Sequence, residues 1–270
     1  MDCKYRIEDF QPSGGRMPDA RVEFEELFSP ECTYAPPPYR FKGVGIALVY
    51  EIPFARLGNV IPKVYAPDPG KGKIWFKANV YDWHEFFSLA EPDTKYRYHE
   101  SCYKFSIRYG SEIGDYPIKL YLDHDVPIAV GIDLYGLQKF PAEMQFNSGA
   151  AGTRALIQRG PQTELDVNLE KAKGIAARLT TLIANASTGP YLKKYVGNIL
   201  YQKEGDGERI LYTPTQISYM KYECARPVNV YLREPLEWGI LTEAEMAKPK
   251  YAFLLTGIEA ELGPPRSVSI

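Results

Sequence analysis

From Phe41 onward the chain is a succession of short, strand-like runs, and that pattern limits the fold more than any motif does. VGIALVYEI is apolar and β-branched, while KIWFKANVYDW, YKFSIRYG and KLYLD alternate as half-buried strands do. PIAVGIDL is nearly continuous in apolar residues and reads as a strand buried on both faces. TRALIQRG and ELDVNLE read as two strands joined by a Gly-Pro turn. ILYQ, the turn EGDGE and RILYTPTQISYMKYE read as a hairpin with a long second arm, and NVYLRE and KYAFLLTGIEAEL as late strands. Helices are few. FARLGNVIP is a short one that Pro62 helps to end, and KAKGIAARLTTLIANA is the longest, with Ile175, Leu179, Leu182 and Ala186 at helical spacing. The expected class is α+β, mostly antiparallel β. So many strands must avoid open edges, and closure into a barrel is one way to do so.

APPPYR marks a boundary, because consecutive prolines favour an extended entry. Residues 1–35 are expected to be an N-terminal extension, and residues 36–270 a single β-barrel domain. The formal net charge is -2, with no block of Lys or Arg, so neither nucleic acid nor an anionic membrane is an expected partner. Cys3, Cys32, Cys102 and Cys224 are far apart and form no CxxC pair; they read as reduced thiols of a cytoplasmic protein. MDCKYRIEDF lacks the apolar core of a signal peptide, and no window has the length of a membrane span.

The three histidines, His84, His99 and His124, make no metal-binding spacing, and no metal is expected. Asp123 and Asp125 beside His124 read as turn residues. No GxSxG elbow, P-loop or GxGxxG occurs. Lys139 is the candidate. It stands between Leu137-Gln138 and Phe140-Pro141, a lone ammonium in an apolar turn. A lysine is a nucleophile only when neutral, and its free pKa is about 10.4. An apolar site lowers that value by penalising the charge. The neutral amine then condenses with a ketone or aldehyde. The protonated imine accepts the electron pair left by loss of CO2, of an α-proton or of an aldol fragment.

YLDHDVPIAVGIDLYGLQKF resembles a stretch of the acetoacetate decarboxylase superfamily: Tyr-Leu-Asp, then Pro-x-x-x-Gly and an acid-Leu pair leading to the Schiff-base lysine. On that match Lys139 takes the nucleophile's position. Further segments follow in the family's order. PPYRF with ALVY resembles its first strand, and FARLGNVIP its short helix. YHES resembles the segment carrying a site glutamate, here Glu100, and GPYLKKYVGNILYQKEGDGERI a later strand and hairpin. The resemblance covers roughly residues 36–263. It implies a closed or nearly closed β-barrel with surrounding strands, a homo-oligomer, and no cofactor, since the imine is its own electron sink.

The chain also departs from the decarboxylase. Phe140 stands where the decarboxylase has a second lysine, KGVGIAL lacks the site arginine, Lys77 stands near a site glutamate, and Asp133 replaces a Glu. Of the two routes that lower a lysine's basicity, apolar surround and adjacent cation, only the first is retained. The expected activity is therefore a Schiff-base lyase acting on a small-molecule carbonyl substrate other than acetoacetate. Decarboxylation, or aldol condensation with dehydration or cyclisation, would follow the imine, with a role in secondary metabolism. Lys139 and Glu100 are the expected catalytic residues. Asp133, Tyr135, Gln138, Phe140 and Lys77 are the expected substrate contacts, Lys77 facing either solvent or the pocket. The competing readings are a non-enzymatic binding or assembly protein, and an acid–base hydratase or isomerase using Glu100 and Asp133.

Overall fold

The computed structural model describes residues 34–58, 60–67, 69–70, 72–110, 112–186, 197–204 and 207–268. The expected N-terminal extension, Cys3, Cys32, the GPYLKKYV segment and the tip of the EGDGE turn lie outside them. The described strands are β1 (Tyr39–Pro53), β2 (Ala66–Pro67), β3 (Pro69–Gly70), β4 (Lys73–Ser88), β5 (Tyr96–Tyr109) and β6 (Glu112–Leu122). Then follow β7 (Lys139–Pro141), β8 (Glu143–Ser148), β9 (Gly152–Arg159), β10 (Gln162–Lys171), β11 (Gly197–Glu204) and β12 (Gly207–Thr213). The last are β13 (Thr215–Leu232), β14 (Tyr251–Leu262) and β15 (Arg266–Val268). Four α-helices accompany them: α1 (Asp125–Asp133), α2 (Ile175–Ala186), α3 (Arg233–Glu237) and α4 (Glu243–Met246). FARL forms a single 3-10 turn, Phe54–Leu57. None of the described helices is long and apolar enough to cross a membrane.

The expected α+β class with mostly antiparallel strands is found, but among the described residues the sheet is not closed by hydrogen bonds. Its strands follow the open path β15-β12-β11-β6-β5-β4-β1-β14-β13-β10-β9-β8. The middle of the path is antiparallel, whereas β11 and β7 both pair with β6 in parallel. Curling still brings its limbs together, because Asn198 of β11 and Thr215, Ile217 and Tyr222 of β13 line the same cavity.

Alternation along the central strands divides the apolar residues into two cores. Ile46, Leu48, Tyr50, Phe76, Ala78, Val80, Tyr103 and Phe105 face one of them. Ala47, Cys102, Leu120, Leu137, Phe253 and Leu255 face the other. Successive side chains of a strand point to opposite faces, so Lys77, Asn79 and Tyr81 fall on the second side with Glu100, Cys102 and Lys104.

Two readings of the sequence need correction, and a third element differs in what it buries. PIAVGIDL is not a strand but most of α1. The His124 ring accepts a hydrogen bond from the Val126 N–H at 3.2 Å, Asp125 lies in the first turn, and Pro127 sits where few intrahelical donors are required. The arm RILYTPTQISYMKYE breaks at Pro214. The β12 strand joins β11 and β15, while β13 joins β14 and β10 and continues through NVYL. α2 forms as expected, but its large apolar residues face outward: Ile175, Leu179 and Leu182 are exposed. It meets β13 through Ala184, which packs in one cluster with Tyr222, and through polar contacts from Thr181 and Asn185 to the backbone at Cys224 and Tyr222.

Candidate active site

Lys139 owes its place to α1 and to the parallel pairing of β7 with β6. After α1 the chain reverses at Gly136, φ +63°, and the Leu137 N–H donates back to the Gly131 carbonyl at 2.9 Å. The Leu120 N–H then takes the Gln138 carbonyl at 2.9 Å, setting Lys139 beside Leu120. Leu120 faces the second core, and Lys139 faces it with Leu120. The lysine side chain is only 8% exposed. Its Nζ donates to the Pro127 carbonyl at 3.0 Å and to Glu100 Oε2 at 3.4 Å. It passes against Gly131, where an added Cβ would overlap its Cδ and Cε and lie 2.7 Å from Nζ.

Both Lys139 and Glu100 line a cavity of about 190 Å³. Its apolar wall includes Ala47, Val49, Leu120, Leu137, Phe253 and Leu255. Its polar wall is a double row on two paired strands. Lys77, Asn79 and Tyr81 on β4 stand opposite Lys104, Cys102 and Glu100 on β5. Asn79 Nδ2 donates to the Tyr81 hydroxyl at 2.8 Å, while Asn79 Oδ1 and Trp83 Nε1 are buried without a protein partner. Unpaired buried polar atoms on a cavity wall suit a polar ligand. Burial raises the Tyr81 hydroxyl and the Cys102 thiol, each to about 12, so both stay neutral near pH 7.

At the far end Lys77 joins two residues that the sequence did not nominate, Asp115 and Lys104. Asp115 of β6 accepts from Lys77 at 2.8 Å and from Ser106 Oγ at 3.1 Å, and lies 3.1 Å from Lys104 Nζ. Burial by itself would raise the Asp115 carboxyl. The two ammonium groups outweigh it and hold the carboxyl at about 2. Burial works against the Lys104 charge, and attraction to Asp115 overcomes it, leaving that lysine above its ordinary range.

The expected contacts divide. Lys77 points inward and is 6% exposed. Phe140 follows Lys139 in a strand and so points the other way, packing on Tyr121 at 6.3 Å with Lys119 Nζ 4.9 Å from its ring. Gln138 is exposed, and Tyr135 is buried edge-on to Tyr39 at 6.3 Å. Asp133 is half-buried on the last turn of α1. None of these four lines the cavity. No group of His, Cys, Asp or Glu arranged to hold a metal occurs among the described residues.

A family model described as acetoacetate decarboxylase matches residues 27–193, more than half of the chain. Among solved structures the fold is similar to an acetoacetate decarboxylase from Legionella pneumophila, with 16% identity, a TM-score of 0.59, and 96% of this chain and 98% of that one covered. It is also similar to the enduracididine biosynthesis enzyme MppR complexed with pyruvate, with 12% identity, a TM-score of 0.63, and 88% and 93% covered. A third is an acetoacetate decarboxylase-like enzyme from Sphingomonas wittichii RW1, with 10% identity, a TM-score of 0.60, and 90% and 97% covered. Identities this low speak to the fold alone. No match was found among curated proteins. The length of the family match, joined to the order of the motifs around Lys139, shows that the chain belongs to the acetoacetate decarboxylase family.

Proposed function

We propose that the protein is a Schiff-base lyase in which Lys139 condenses with the carbonyl group of a keto acid. The observation that carries this reading is the Lys139 amine, buried on the cavity wall 3.4 Å from the Glu100 carboxylate and given room by Gly131. The amine adds to the carbonyl carbon, and water leaves after the oxygen is protonated. Glu100 is the group placed to move that proton. The protonated imine then draws an electron pair to nitrogen. The pair comes either from a carbon–carboxylate bond, releasing CO2, or from an α-carbon–hydrogen bond whose proton passes to Glu100. The resulting enamine takes a proton or attacks an aldehyde, and water returns to free Lys139. Apolar walls keep bulk water from the imine and strengthen its attraction to Glu100.

Carbon–carbon bond formation is favoured over simple decarboxylation of acetoacetate. The cavity has no arginine on β1, and the second lysine of the decarboxylase is an outward-facing Phe140. MppR, whose fold is similar, has been solved with the condensation product of pyruvate and imidazole 4-carboxaldehyde. The acid–base reading without an imine has less support, because Asp133 does not line the cavity with Glu100.

Exchange of α-protons for deuterium tests the imine-to-enamine step before the true substrate is known. With a panel of keto acids in D2O, pyruvate among them, NMR should show exchange catalysed by the wild-type protein. It should vanish in Lys139→Ala and slow by about a hundredfold or more in Glu100→Gln. Exchange by Lys139→Ala at the wild-type rate would overturn the reading.

A further inference from the structure

The hydroxyl of Tyr98 is buried without a partner. The residue is 2% exposed, and its oxygen makes no hydrogen bond among the described residues. An orphaned buried hydroxyl is destabilising, and phenylalanine would fill the same space without one. Packing does not require the oxygen either. The ring sits edge-on to Phe86 with centroids 5.6 Å apart, a contact that a phenyl ring makes equally well.

The place of Tyr98 on its strand supplies a reason. It opens the YHES segment two residues before Glu100, and β5 turns both side chains to the face that carries the second core and the cavity. Trp83 and Tyr81, opposite them on β4, lie on the same face. The Glu100 carboxylate has room for another donor. Its contact with Lys139 Nζ, 3.4 Å, is at the long end of hydrogen-bond distances, and a carboxylate accepts several donors at once. Asp123, the other acid whose charge reaches Tyr98, is already held by the backbone N–H and the ring of His99. Burial, reinforced by the Glu100 charge, pushes the Tyr98 hydroxyl well above its ordinary range, so near neutral pH it is a neutral donor.

We propose that Tyr98 is a positioning residue for Glu100: after a small turn of the glutamate side chain, its hydroxyl donates to the carboxylate and holds it beside Lys139 while the nitrogen changes. This rests on the Schiff-base reading and adds a residue to it. The neutral amine loses both hydrogens to the departing water, and protonation of the imine restores one N–H. Glu100 therefore meets a different nitrogen at each stage, whereas Tyr98 presents the same O–H throughout. Tyr98 acts through Glu100 and transfers no proton itself.

Two assays on the full chain separate this role from a structural one: α-proton exchange of pyruvate in D2O, and borohydride trapping of pyruvate at Lys139. Tyr98→Phe should trap to the wild-type extent, because the amine is intact, and exchange about tenfold more slowly, the loss expected of one hydrogen bond to a charged group. In a Glu100→Gln background the same change should have no further effect. Phe86→Leu, which loosens the packing of the ring and keeps the hydroxyl, should lower the melting temperature and leave the ratio of exchange to trapping unchanged. Infrared spectroscopy reads the carboxylate with no imine present. The band that disappears in Glu100→Gln should shift in Tyr98→Phe, and shift the opposite way when 3-fluorotyrosine, a stronger donor of the same shape, replaces Tyr98. Undiminished exchange in Tyr98→Phe, with the band unmoved in both variants, would overturn the proposal and leave the imine lysine standing. Absence of a Lys139 adduct in the wild type would overturn the imine reading instead, and the infrared shifts would then decide whether Tyr98 holds Glu100. Should Tyr98→Phe fail to fold, the 3-fluorotyrosine shift decides the same question.

Discussion

Gly131 separates what the helix needs from what the lysine needs. On helix propensity alone Gly131→Ala should stabilise α1 by about 1 kcal/mol. The new methyl group would instead occupy the space of the Lys139 side chain, and the atoms it meets are the flexible end of that chain. Lys139 can swing aside at little cost to folding, but its Nζ then leaves Glu100 and the Pro127 carbonyl. Gly131→Ala should therefore unfold within about 1 kcal/mol of wild type and yet lose imine trapping almost entirely; thermal melts and trapping on one sample would check this. The same scale explains why Lys77 was legible only as a choice between two faces. KIWFKANV is buried on both sides, so alternation says that Lys77 and Phe76 differ in face without saying which face borders a void. Lys104 carried no signal at all, since its partner Asp115 lies on the next strand, paired by a register that sequence does not print.

At the scale of elements, α1 connects the end of β6 to the lysine. Its Pro127 carbonyl accepts a hydrogen bond from Lys139 Nζ, and its N-terminus is capped by His124. His124→Ala should cost about 1 kcal/mol in urea unfolding and lower trapping by more than that loss explains, because the Pro127 carbonyl shifts with the first turn. PIAVGIDL was misread as a strand because a short apolar run fits a buried strand and a buried helix equally well. The signals that distinguish them were a capping His three residues before it and a Pro at its own first position. α2 shows the opposite failure. Its helical period was right, but a period does not say whether the apolar stripe is covered. With Leu182 largely exposed, Leu182→Lys should change stability by no more than about 0.5 kcal/mol in the isolated chain, as read by urea denaturation.

For the whole molecule, the succession of strand-like runs was readable in the sequence and carried the strand-rich class, while the order of the segments carried the family. Closure was not readable, because it depends on which edges meet, and the described sheet stays open between β15 and β8. The buried Asp115 ties the far end of the site to global stability. Its carboxyl is held at about 2 against an ordinary 3.8. A depressed carboxyl contributes stability that is complete above the unfolded value and is lost as pH falls through the folded one. Between about pH 4 and pH 2 the protein should therefore lose on the order of 2 kcal/mol through this group. In Asp115→Asn that part of the acid transition should disappear, and the variant should be about 3 kcal/mol less stable at pH 7, because two buried ammonium groups lose their anion.

The imine at Lys139 is the claim on which the rest depends, and reductive trapping reaches it most directly. The protein is incubated with keto acids and aldehydes of increasing length, reduced with borohydride, digested and mapped by mass spectrometry. The account predicts a stable adduct on the peptide carrying Lys139 and none above background on surface lysines such as Lys42 and Lys250. Labelling spread evenly over surface lysines, with Lys139 no better than the rest, would contradict it.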